Sequence, residues 1–451
     1  MATRVILVRH GESTYNVQRR VQGHCDESNL TEAGRAGAQQ VGMALRGLPF
    51  AAAYSSPLMR ARTTAELILA GLDANPSLDL NLSDDLKEIN LLPWEGLSFQ
   101  DVEQQFPEAY LCWRDRPHEL CFQVPTANGM ADFYPVPALF EQAKRFWQSV
   151  LPDHLGDTIL VVAHSGINRC LISSAIGLGP EGYTAFHQAN CGINVLNFSG
   201  GLGDPVQLES TNLTAHLGDP LPKMRANQRG PRLLLVRHGE TDWNRQKRFQ
   251  GQIDVPLNPQ GQVQAAQAAA FLQNIPLDRA VSSPMLRPKE TAERILQDHP
   301  HLTLELDSNL REISHGRWEG QLEEDIEAAY PGLLEQWQKA PETVQMPEGE
   351  NLQQVWDRTI AAWDAIVAST PVNDLAQIPT VLVVAHDAVN KAILCYLAGL
   401  GPEHFWTFKQ GNGAVSVIDY HRGGDQPPML QAVNITSHLG GVLDKTAAGA
   451  L

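Results

Sequence analysis

The stretch VILVRHGEST at residues 5–14 is an apolar run that ends abruptly in Arg-His-Gly-Glu, and LLLVRHGETDWN at residues 233–244 nearly repeats it. Both runs have the length of a strand and are apolar throughout, which is typical of parallel strands buried on both faces. Ligands of such sheets bind beyond the carboxyl ends of the strands. We therefore expect the charged residues that end each run to lie at a functional site.

This repeat extends along the whole chain. Six blocks return in the same order, with offsets that drift from 228 to 222 residues; ILVVAHSGINRCLI, for example, returns as VLVVAHDAVNKAIL. A period of this length indicates duplication of a whole domain and not a solenoid repeat, and 451 residues also suggest two or three domains. We predict one domain over residues 1–222 and a second over 223–451, joined by the Pro/Gly-containing stretch 218–232.

Within each copy, apolar runs of strand length alternate with longer segments of helical character. Two of these segments are rich in alanine and carry Thr31 or Asn258 where a helix N-cap belongs. Strands separated by helices favour a mostly parallel sheet. We predict an α/β protein of two tandem domains, each a mostly parallel sheet with helices on both faces.

The composition excludes several classes of partner. The chain is acidic, with a net charge of −17, and has no stripe of Lys and Arg interleaved with aromatic residues, so we expect no nucleic-acid partner. No apolar run approaches the ~20 residues of a membrane span, and no segment resembles a signal peptide. The six cysteines form no CxxC pair, which favours core thiols in a reducing compartment. We predict a cytoplasmic protein without a membrane partner.

Each copy carries the same five residues that can bind a ligand or react with it, and they occur in the same order. They are Arg9, His10, Arg60, Glu88 and His164 in the first copy, and Arg237, His238, Arg287, Glu312 and His386 in the second. A phosphate monoester dianion needs several charge-assisted donors, and the guanidinium fork matches two phosphate oxygens. A histidine in line with the ester bond can attack phosphorus, and a partly desolvated glutamate with a raised pKa can protonate the leaving alkoxide.

Each of these residues alone has an ordinary structural interpretation. An Arg-His pair at a strand end is more often a surface feature, and a histidine after a buried strand can be a core residue. A metal site is disfavoured because no ligand spacing is present and an arginine beside each histidine would repel a cation. Two arginines and a second histidine can supply the positive charge instead. We expect neither a metal nor another cofactor. The presence of the same five residues in both copies favours phosphate chemistry.

The motifs RHGE[ST], SSPxxR, LxE…WEG and VVAH occur in both copies, and over nearly the whole chain they resemble the histidine phosphatase superfamily, whose fold is that of the phosphoglycerate mutases. The resemblance implies that His10 and His238 are the phosphorylated nucleophiles and that Glu88 and Glu312 are proton donors. It implies two phosphate pockets, formed by Arg9, Arg60 and His164 and by Arg237, Arg287 and His386. Asn16 and Asn244 would line these pockets. Trp94 and Trp318, in PWEG and RWEG, are expected to pack in the core.

Hydrolysis is favoured over mutase chemistry. The segments between acid and second histidine, 76 residues from Glu88 to His164 and 74 from Glu312 to His386, lack the longer basic insertion that mutases of the family usually carry. A mutase must also retain the phosphoryl group while excluding water. A phosphoglycerate mutase, and one catalytic domain joined to a non-catalytic binding or regulatory domain, remain alternatives.

The first copy departs from the common pattern at residues 129–147, GMADFYPVPALFEQAKRFW. This segment resembles a plant member of the family that is also a tandem of two domains, and the resemblance implies a small acidic sugar phosphate as substrate. We expect a small phosphorylated metabolite as the partner. The sequence leaves the oligomeric state open; a monomer whose two copies form an intramolecular pseudo-dimer is one arrangement that fits the duplication.

Overall fold

The structure, a computed structural model, describes residues 2–72, 78–127, 129–225 and 227–446. The chain divides into two units, Met1–Asp219 and Pro220–Leu451. Each unit is described by itself below. One residue of the predicted linker at 218–232, Ala226, lies outside the described residues.

The first unit is built from strands and helices that alternate over most of its length. In chain order they are β1 (Thr3–Arg9), α1 (Thr14–Gln18), α2 (Glu32–Ala44), β2 (Phe50–Ser55), α3 (Met59–Gly71), β3 (Leu80–Leu82), α4 (Phe99–Gln105), α5 (Pro107–Asp115), β4 (Phe122–Thr126), β5 (Gly129–Phe133), α6 (Pro135–Val150), β6 (Thr158–Ala163), α7 (Ser165–Ala175), β7 (Ile193–Phe198) and β8 (Val206–Leu213).

Strand β1 lies inside the sheet of the first unit, between β6 and β7. It pairs parallel with β6 and antiparallel with β7, and β2 continues the parallel part from β6 to β3. Strand β8 pairs antiparallel with β7. The four residues Val5–Val8 are fully buried, as expected for a strand covered on both faces. The predicted mostly parallel sheet is confirmed.

The second unit repeats this order of elements. They are β9 (Arg232–Arg237), α8 (Asp242–Gln246), α9 (Pro259–Leu272), β10 (Arg279–Ser282), α10 (Leu286–Leu296), β11 (Leu304–Leu306), α11 (Glu323–Ala329), α12 (Leu333–Lys339), α13 (Leu352–Ala368), β12 (Thr380–Ala385), α14 (Asp387–Ala398), β13 (Val415–Asp419) and β14 (Met429–Ile435). Strand β9 pairs parallel with β12 and antiparallel with β13, and β12 pairs parallel with β10. The sheet continues to β11 beyond β10 and to β14 beyond β13.

Both predicted N-caps are present. The side chain of Thr31 accepts a hydrogen bond from the Gly34 amide at the start of α2, and Asn258 does the same for the Gly261 amide at the start of α9. Each side-chain oxygen satisfies one of the amides that the first turn of a helix leaves unpaired. The two helices therefore begin where the sequence predicts.

The two units differ between the acid and the second histidine. In the first unit this segment contains an antiparallel hairpin of β4 and β5. In the second unit the corresponding segment forms a single bridge between Gln345 and Asn351 before α13 begins. Helix α6 follows Tyr134 in the segment that departs from the family pattern, and its buried face includes Phe140, Phe146 and Trp147.

The tryptophans of the WEG motifs, Trp94 and Trp318, are buried among other aromatic rings, so the prediction that they pack in the core is confirmed. Cysteines are less uniformly buried than predicted. Three are core thiols and three, at positions 25, 112 and 121, are partly exposed, and all six are free. In the described part of the chain, no helix is both long and apolar enough to cross a membrane.

Candidate active site

The parallel pairing of β1 with β6 brings the two histidines of the first unit together. Arg9 is in register with Ala163, so His10 and His164, the next residues, leave the sheet at the same edge. Their ring centroids are 5.1 Å apart. The rings of His238 and His386 in the second unit are 5.2 Å apart.

The hydrogen bonds of His10 determine which of its ring nitrogens carries the proton. Its Nδ1 lies 2.7 Å from the carbonyl oxygen of Gly11. Because a carbonyl oxygen can only accept, Nδ1 is the donor, and the lone pair of the neutral ring is on Nε2. His238 makes the same contact with Gly239, and the Nε of Arg287 donates to its Nε2 at 3.2 Å. Each ring therefore presents Nε2 as a nucleophile.

Both rings are neutral at pH 7. Burial, followed by the charges of Arg9 and Arg60, lowers the pKa of His10 well below its ordinary value. Burial and the charges of Arg287 and Arg237 do the same to the pKa of His238. A neutral imidazole keeps the lone pair that attack on phosphorus requires.

Arg60 is a fully buried cation at the start of α3. Its two terminal nitrogens donate to the carbonyl oxygens of Cys25 and Gly23 at 3.0 and 2.8 Å, which fixes the guanidinium plane. Its Nε is buried and has no hydrogen-bond partner among the described residues. Arg287 donates to two carbonyl oxygens in the same way. Burial lowers the pKa of Arg60, and it lowers the pKa of Arg287 to about 10. Buried cations without a paired anion favour an anionic ligand.

Arg9 at the end of β1 is the second cation of the first unit, and its side chain is half-buried. Its Nη1 donates to the carbonyl oxygen of Gln188 at 2.8 Å, and burial lowers its pKa to about 10. Arg237 donates to the carbonyl oxygen of Gln410 in the same way and lies 3.6 Å from a carboxylate oxygen of Asp387. The Nε of each arginine is buried and lacks a partner in the described part of the chain.

A serine that the sequence analysis did not assign binds the second histidine. The Nε2 of His164 lies 2.8 Å from the hydroxyl of Ser56, and that of His386 lies 2.9 Å from the hydroxyl of Ser283. The sequence contains a signal for both serines, because Ser-Ser-Pro occurs in both copies where a strand ends. The Nδ1 of both histidines is buried with no partner in the described ranges. These two nitrogens are therefore available to a ligand in the pocket.

Glu88 is held at the amino end of α7, directly after His164. Its carboxylate accepts hydrogen bonds from the backbone amides of Ile89, Gly166 and Ile167 at 2.8–3.1 Å. Amides of a first helical turn have no partner within the helix, so they orient this side chain. The acid and the second histidine are positioned by the same helix terminus.

Glu312 occupies the corresponding position in the second unit. It accepts hydrogen bonds from the amides of Ile313 and Ala388. Burial, followed by the charge of Asp387, raises its pKa. A raised pKa suits a group that must donate a proton near neutral pH.

Asn16 lies at the rim of the first pocket. Its Oδ1 accepts from the amide and hydroxyl of Ser13 and from Nδ2 of Asn190, at 3.0–3.1 Å. These bonds fix the amide with its NH₂ group as the remaining donor. In the second unit, Asn244 likewise accepts from Asn412. Asn190 and Asn412 are not among the residues predicted from the sequence, although both lie in the repeated block that follows α7 and α14.

Among the described residues, no group of three or more His, Cys, Asp or Glu side chains could hold a metal ion. The positive charge of each pocket comes from its two arginines. The arrangement can bind a phosphoryl group, accept it on Nε2 of a neutral histidine and deliver a proton from a glutamate. The predicted residues of each copy thus lie together, and the roles assigned to them stay predictions.

Comparison with known proteins agrees with this chemistry. The model of the histidine phosphatase superfamily (branch 1) matches residues 5–211 and again residues 233–435. The chain is 30% identical to 2-carboxy-D-arabinitol-1-phosphatase of Triticum aestivum, over 97% of this chain and 87% of that protein. It is 28% identical to a probable 2-carboxy-D-arabinitol-1-phosphatase of Arabidopsis thaliana, over 97% and 88%. Phosphoserine phosphatase 1 of Hydrogenobacter thermophilus is 34% identical over 46% of this chain and 94% of its own length.

Proposed function

Because the chain belongs to the histidine phosphatase superfamily, we propose that it hydrolyses a small acidic sugar phosphate through a phosphohistidine, with 2-carboxy-D-arabinitol 1-phosphate as the best candidate. One observation carries the chemistry: a neutral histidine with its lone pair on Nε2 lies beside two arginines, Arg9 and the fully buried Arg60. The candidate substrate is supported by the relatives of that name, which match both copies along 97% of the chain.

In the proposed reaction, Nε2 of His10 forms a bond to phosphorus as the bond from phosphorus to the ester oxygen breaks. Glu88, in its acid form, gives its proton to the leaving alkoxide, so the alcohol departs neutral. Water then attacks the phosphohistidine and loses a proton to the Glu88 carboxylate. Inorganic phosphate leaves, and both side chains return to their starting states. His238 and Glu312 have the same roles in the second unit.

The arginines stabilise the phosphoryl oxygens during both steps. Arg9 and Arg60 are held by carbonyl oxygens before any ligand binds, so little reorganisation is needed when charge moves onto the phosphoryl group. Removing one such donor from a preorganised site typically costs a factor of about 10² to 10³ in rate. His164 and the amide of Asn16 complete the pocket in this proposal.

The decisive experiment is release of inorganic phosphate from a panel of monoesters, with and without EDTA. The panel contains 2-carboxy-D-arabinitol 1-phosphate, phosphoserine, 3-phosphoglycerate and p-nitrophenyl phosphate. We expect the first compound to have the highest kcat/KM and EDTA to leave the rates unchanged, because arginine and histidine supply the charge. Loss of turnover in EDTA that Mg²⁺ or Zn²⁺ restores would contradict the mechanism. Interconversion of phosphoglycerates that exceeds phosphate release would identify a mutase instead.

We further propose that residues 1–222 and 223–451 are the two domains, and that a single chain in the cytoplasm is the active species. The six free thiols support a reducing compartment. Limited proteolysis should cut first within residues 218–232 and release two resistant fragments. Sedimentation equilibrium should give the mass of one chain; a dimer mass would refute the second part.

A further inference from the structure

Helices α7 and α14 each carry a cation one turn beyond the second histidine. Arg169 follows His164 by five residues, and Lys391 occupies the same place after His386. Neither cation has a role in the proposed reaction. The environments of the two differ sharply, and the difference bears on what each site can bind.

In the second unit the cation is neutralised. The Nζ of Lys391 lies 2.7 Å from a carboxylate oxygen of Asp387, with side-chain exposures of 3% and 8%. The ring of Trp406 covers the ammonium group at 4.4 Å. Asp387 also lies 3.6 Å from Arg237. One buried carboxylate therefore offsets two cations beside the phosphate pocket.

The first unit has Ser165 where the second has Asp387, so this carboxylate is missing. Arg169 makes no ion pair with any described residue, and its Nε is buried without a partner. The residue is only partly buried, whereas Lys391 is 2% exposed. Arg169 thus combines partial exposure with the lack of an ion-pair partner among the described residues.

This charge and the proposed acid, Glu88, have Tyr183 as a common neighbour. The Arg169 guanidinium carbon lies over the ring of Tyr183, 5.4 Å from the ring centroid. A Cβ placed on Gly166 would meet Glu88 Oε1 at 2.4 Å and the Tyr183 hydroxyl at 2.8 Å, so acid and phenol are immediate neighbours. Arg169 is also close enough to Arg9 to contribute to lowering its pKa, after the larger effect of burial.

We propose that Arg169 is a specificity residue of the first site, where it binds a carboxylate that the substrate carries in addition to its phosphate. The proposal rests on the proposed function, because it requires an acidic sugar phosphate. Arg169 shares the neighbour Tyr183 with the acid that protonates the leaving alkoxide, so in this proposal it lies near the part of the substrate beyond the phosphate. In the second site Asp387 repels such a group and holds Lys391 away from it.

The chemistry favours this assignment. A guanidinium binds a carboxylate through two parallel hydrogen bonds, which are stronger than bonds between neutral groups. A partly buried cation without a partner is costly in the free protein, and a carboxylate ligand would remove that cost. The Tyr183 ring under the guanidinium restricts its movement, so less freedom is lost when the carboxylate binds.

The test compares two substrates that differ in one group, 2-carboxy-D-arabinitol 1-phosphate and D-arabinitol 1-phosphate, in a His238→Ala background that reports the first site alone. Arg169→Met should lower kcat/KM on the carboxylated substrate about 10- to 100-fold, chiefly through KM. The loss on arabinitol phosphate should be less than about threefold. Arg169→Lys should give an intermediate loss, because it keeps the charge and lacks the fork.

Ser165→Asp is the second variant, since it gives the first site the carboxylate of the second. It should reproduce the selective loss while leaving Arg169 in place. Arg145→Met is the matched control, because Arg145 is an exposed arginine of α6 already paired with Asp85. Circular dichroism checks that each variant is folded. Inhibition of p-nitrophenyl phosphate hydrolysis by the two arabinitol compounds gives their affinities even when neither is turned over.

Equal losses on both substrates after Arg169→Met, or a Ser165→Asp protein with unchanged preference, would overturn the assignment. Equal inhibition of the His238→Ala parent by the two compounds would overturn it as well. Failure of the proposed function has a different signature: the parent then hydrolyses neither arabinitol compound, while other phosphate esters on the panel are turned over.

Discussion

At the scale of single residues, His10 and His238 owe their proposed reactivity to the carbonyl oxygen that follows each of them. A bond from Nδ1 to that oxygen leaves the lone pair on Nε2. Burial beside two arginines keeps the ring neutral. One backbone contact and two neighbouring charges thus set the tautomer and the protonation state, the two properties a nucleophilic imidazole needs.

Glu88→Gln tests the acid. The variant keeps the shape of the side chain and cannot supply the proton, so loss of rate should depend on the leaving group. With the second site silenced by His238→Ala, we expect kcat to fall about 10²- to 10⁴-fold on an alkyl phosphate. On p-nitrophenyl phosphate the fall should be less than about tenfold, because p-nitrophenolate leaves without a proton. Equal losses on the two substrates would exclude Glu88 as the acid.

His315 is expected to make the protein sensitive to acid. Its side chain is 2% exposed and packs against aromatic rings. Its Nδ1 has no hydrogen-bond partner in the described residues, and burial lowers its pKa to about 3. An unfolded histidine has a pKa of about 6.5, so between these values the unfolded state binds one more proton. The free energy of unfolding should therefore fall by up to about 1.4 kcal/mol for each pH unit below 6.5.

The first unit has Leu91 at the position of His315, so His315→Leu is a natural replacement. Urea denaturation should show that its stability relative to the original protein rises as the pH decreases from 6.5 to 4.5. Between pH 7.5 and 8.5, above the unfolded pKa, the difference should stay constant. Parallel stability curves across the whole range would mean that His315 is not the group that takes up the proton.

At the scale of elements, the loop that carries the nucleophile rests directly on the helix that follows it. A Cβ on Gly34, in the first turn of α2, would lie 2.1 Å from the carbonyl oxygen of Glu12. A Cβ on Gly261, in the first turn of α9, would lie 2.0 Å from that of Glu240. In both cases the atom that the Cβ would meet belongs to the backbone, so no flexible side chain could move aside to make room. Glycine therefore sets the distance between each RHGE loop and its helix.

Gly34→Ala and Gly261→Ala should each force the loop and helix apart. Overpacking of this kind typically costs about 1–3 kcal/mol of stability, and thermal denaturation should detect it in both variants. The displaced loop carries only its own nucleophile, so each substitution should slow only the site of its own unit. The two variants are controls for one another when assayed with the opposite site silenced. Full activity and unchanged stability in Gly34→Ala would show that the loop tolerates the shift.

At the scale of the whole molecule, the duplication raises the question of which site turns over the preferred substrate. Every proposed catalytic residue is present twice, but the units differ in the segments that reach beyond the phosphate. Among the described residues, only the first unit contains the β4–β5 hairpin. Arg169 of α7 has no ion-pair partner there, whereas Lys391 of α14 is paired with Asp387. Specificity follows such peripheral contacts more than the shared chemistry.

We therefore predict that His10→Ala lowers kcat on the preferred substrate by roughly 10³-fold or more, because the covalent route itself is removed. His238→Ala should cost much less on that substrate, while it removes a weaker activity on generic esters. Both single variants are to be assayed on one panel, with folding checked by circular dichroism. If His238→Ala silences the preferred substrate instead, the assignment of the two units is reversed.

The sequence by itself determined the features that depend on neighbouring residues or on the pattern of the duplication. Apolar runs placed β1, β6, β9 and β12 in parallel sheets, because a strand buried on both faces must be apolar throughout. N-cap chemistry located the starts of α2 and α9. The strand-end motifs, written twice, identified the family and the candidate residues.

Only the tertiary structure decided how those residues are held. Ser56 meets His164 across 108 positions of sequence, and Gly34 contacts Glu12 across a loop. Asp387 lies 3.6 Å from Arg237, a residue 150 positions earlier in the chain. Local propensity and spacing report on neighbours in sequence, whereas buried charges and contacts between distant backbone segments depend on distances that exist only after the sheet has formed.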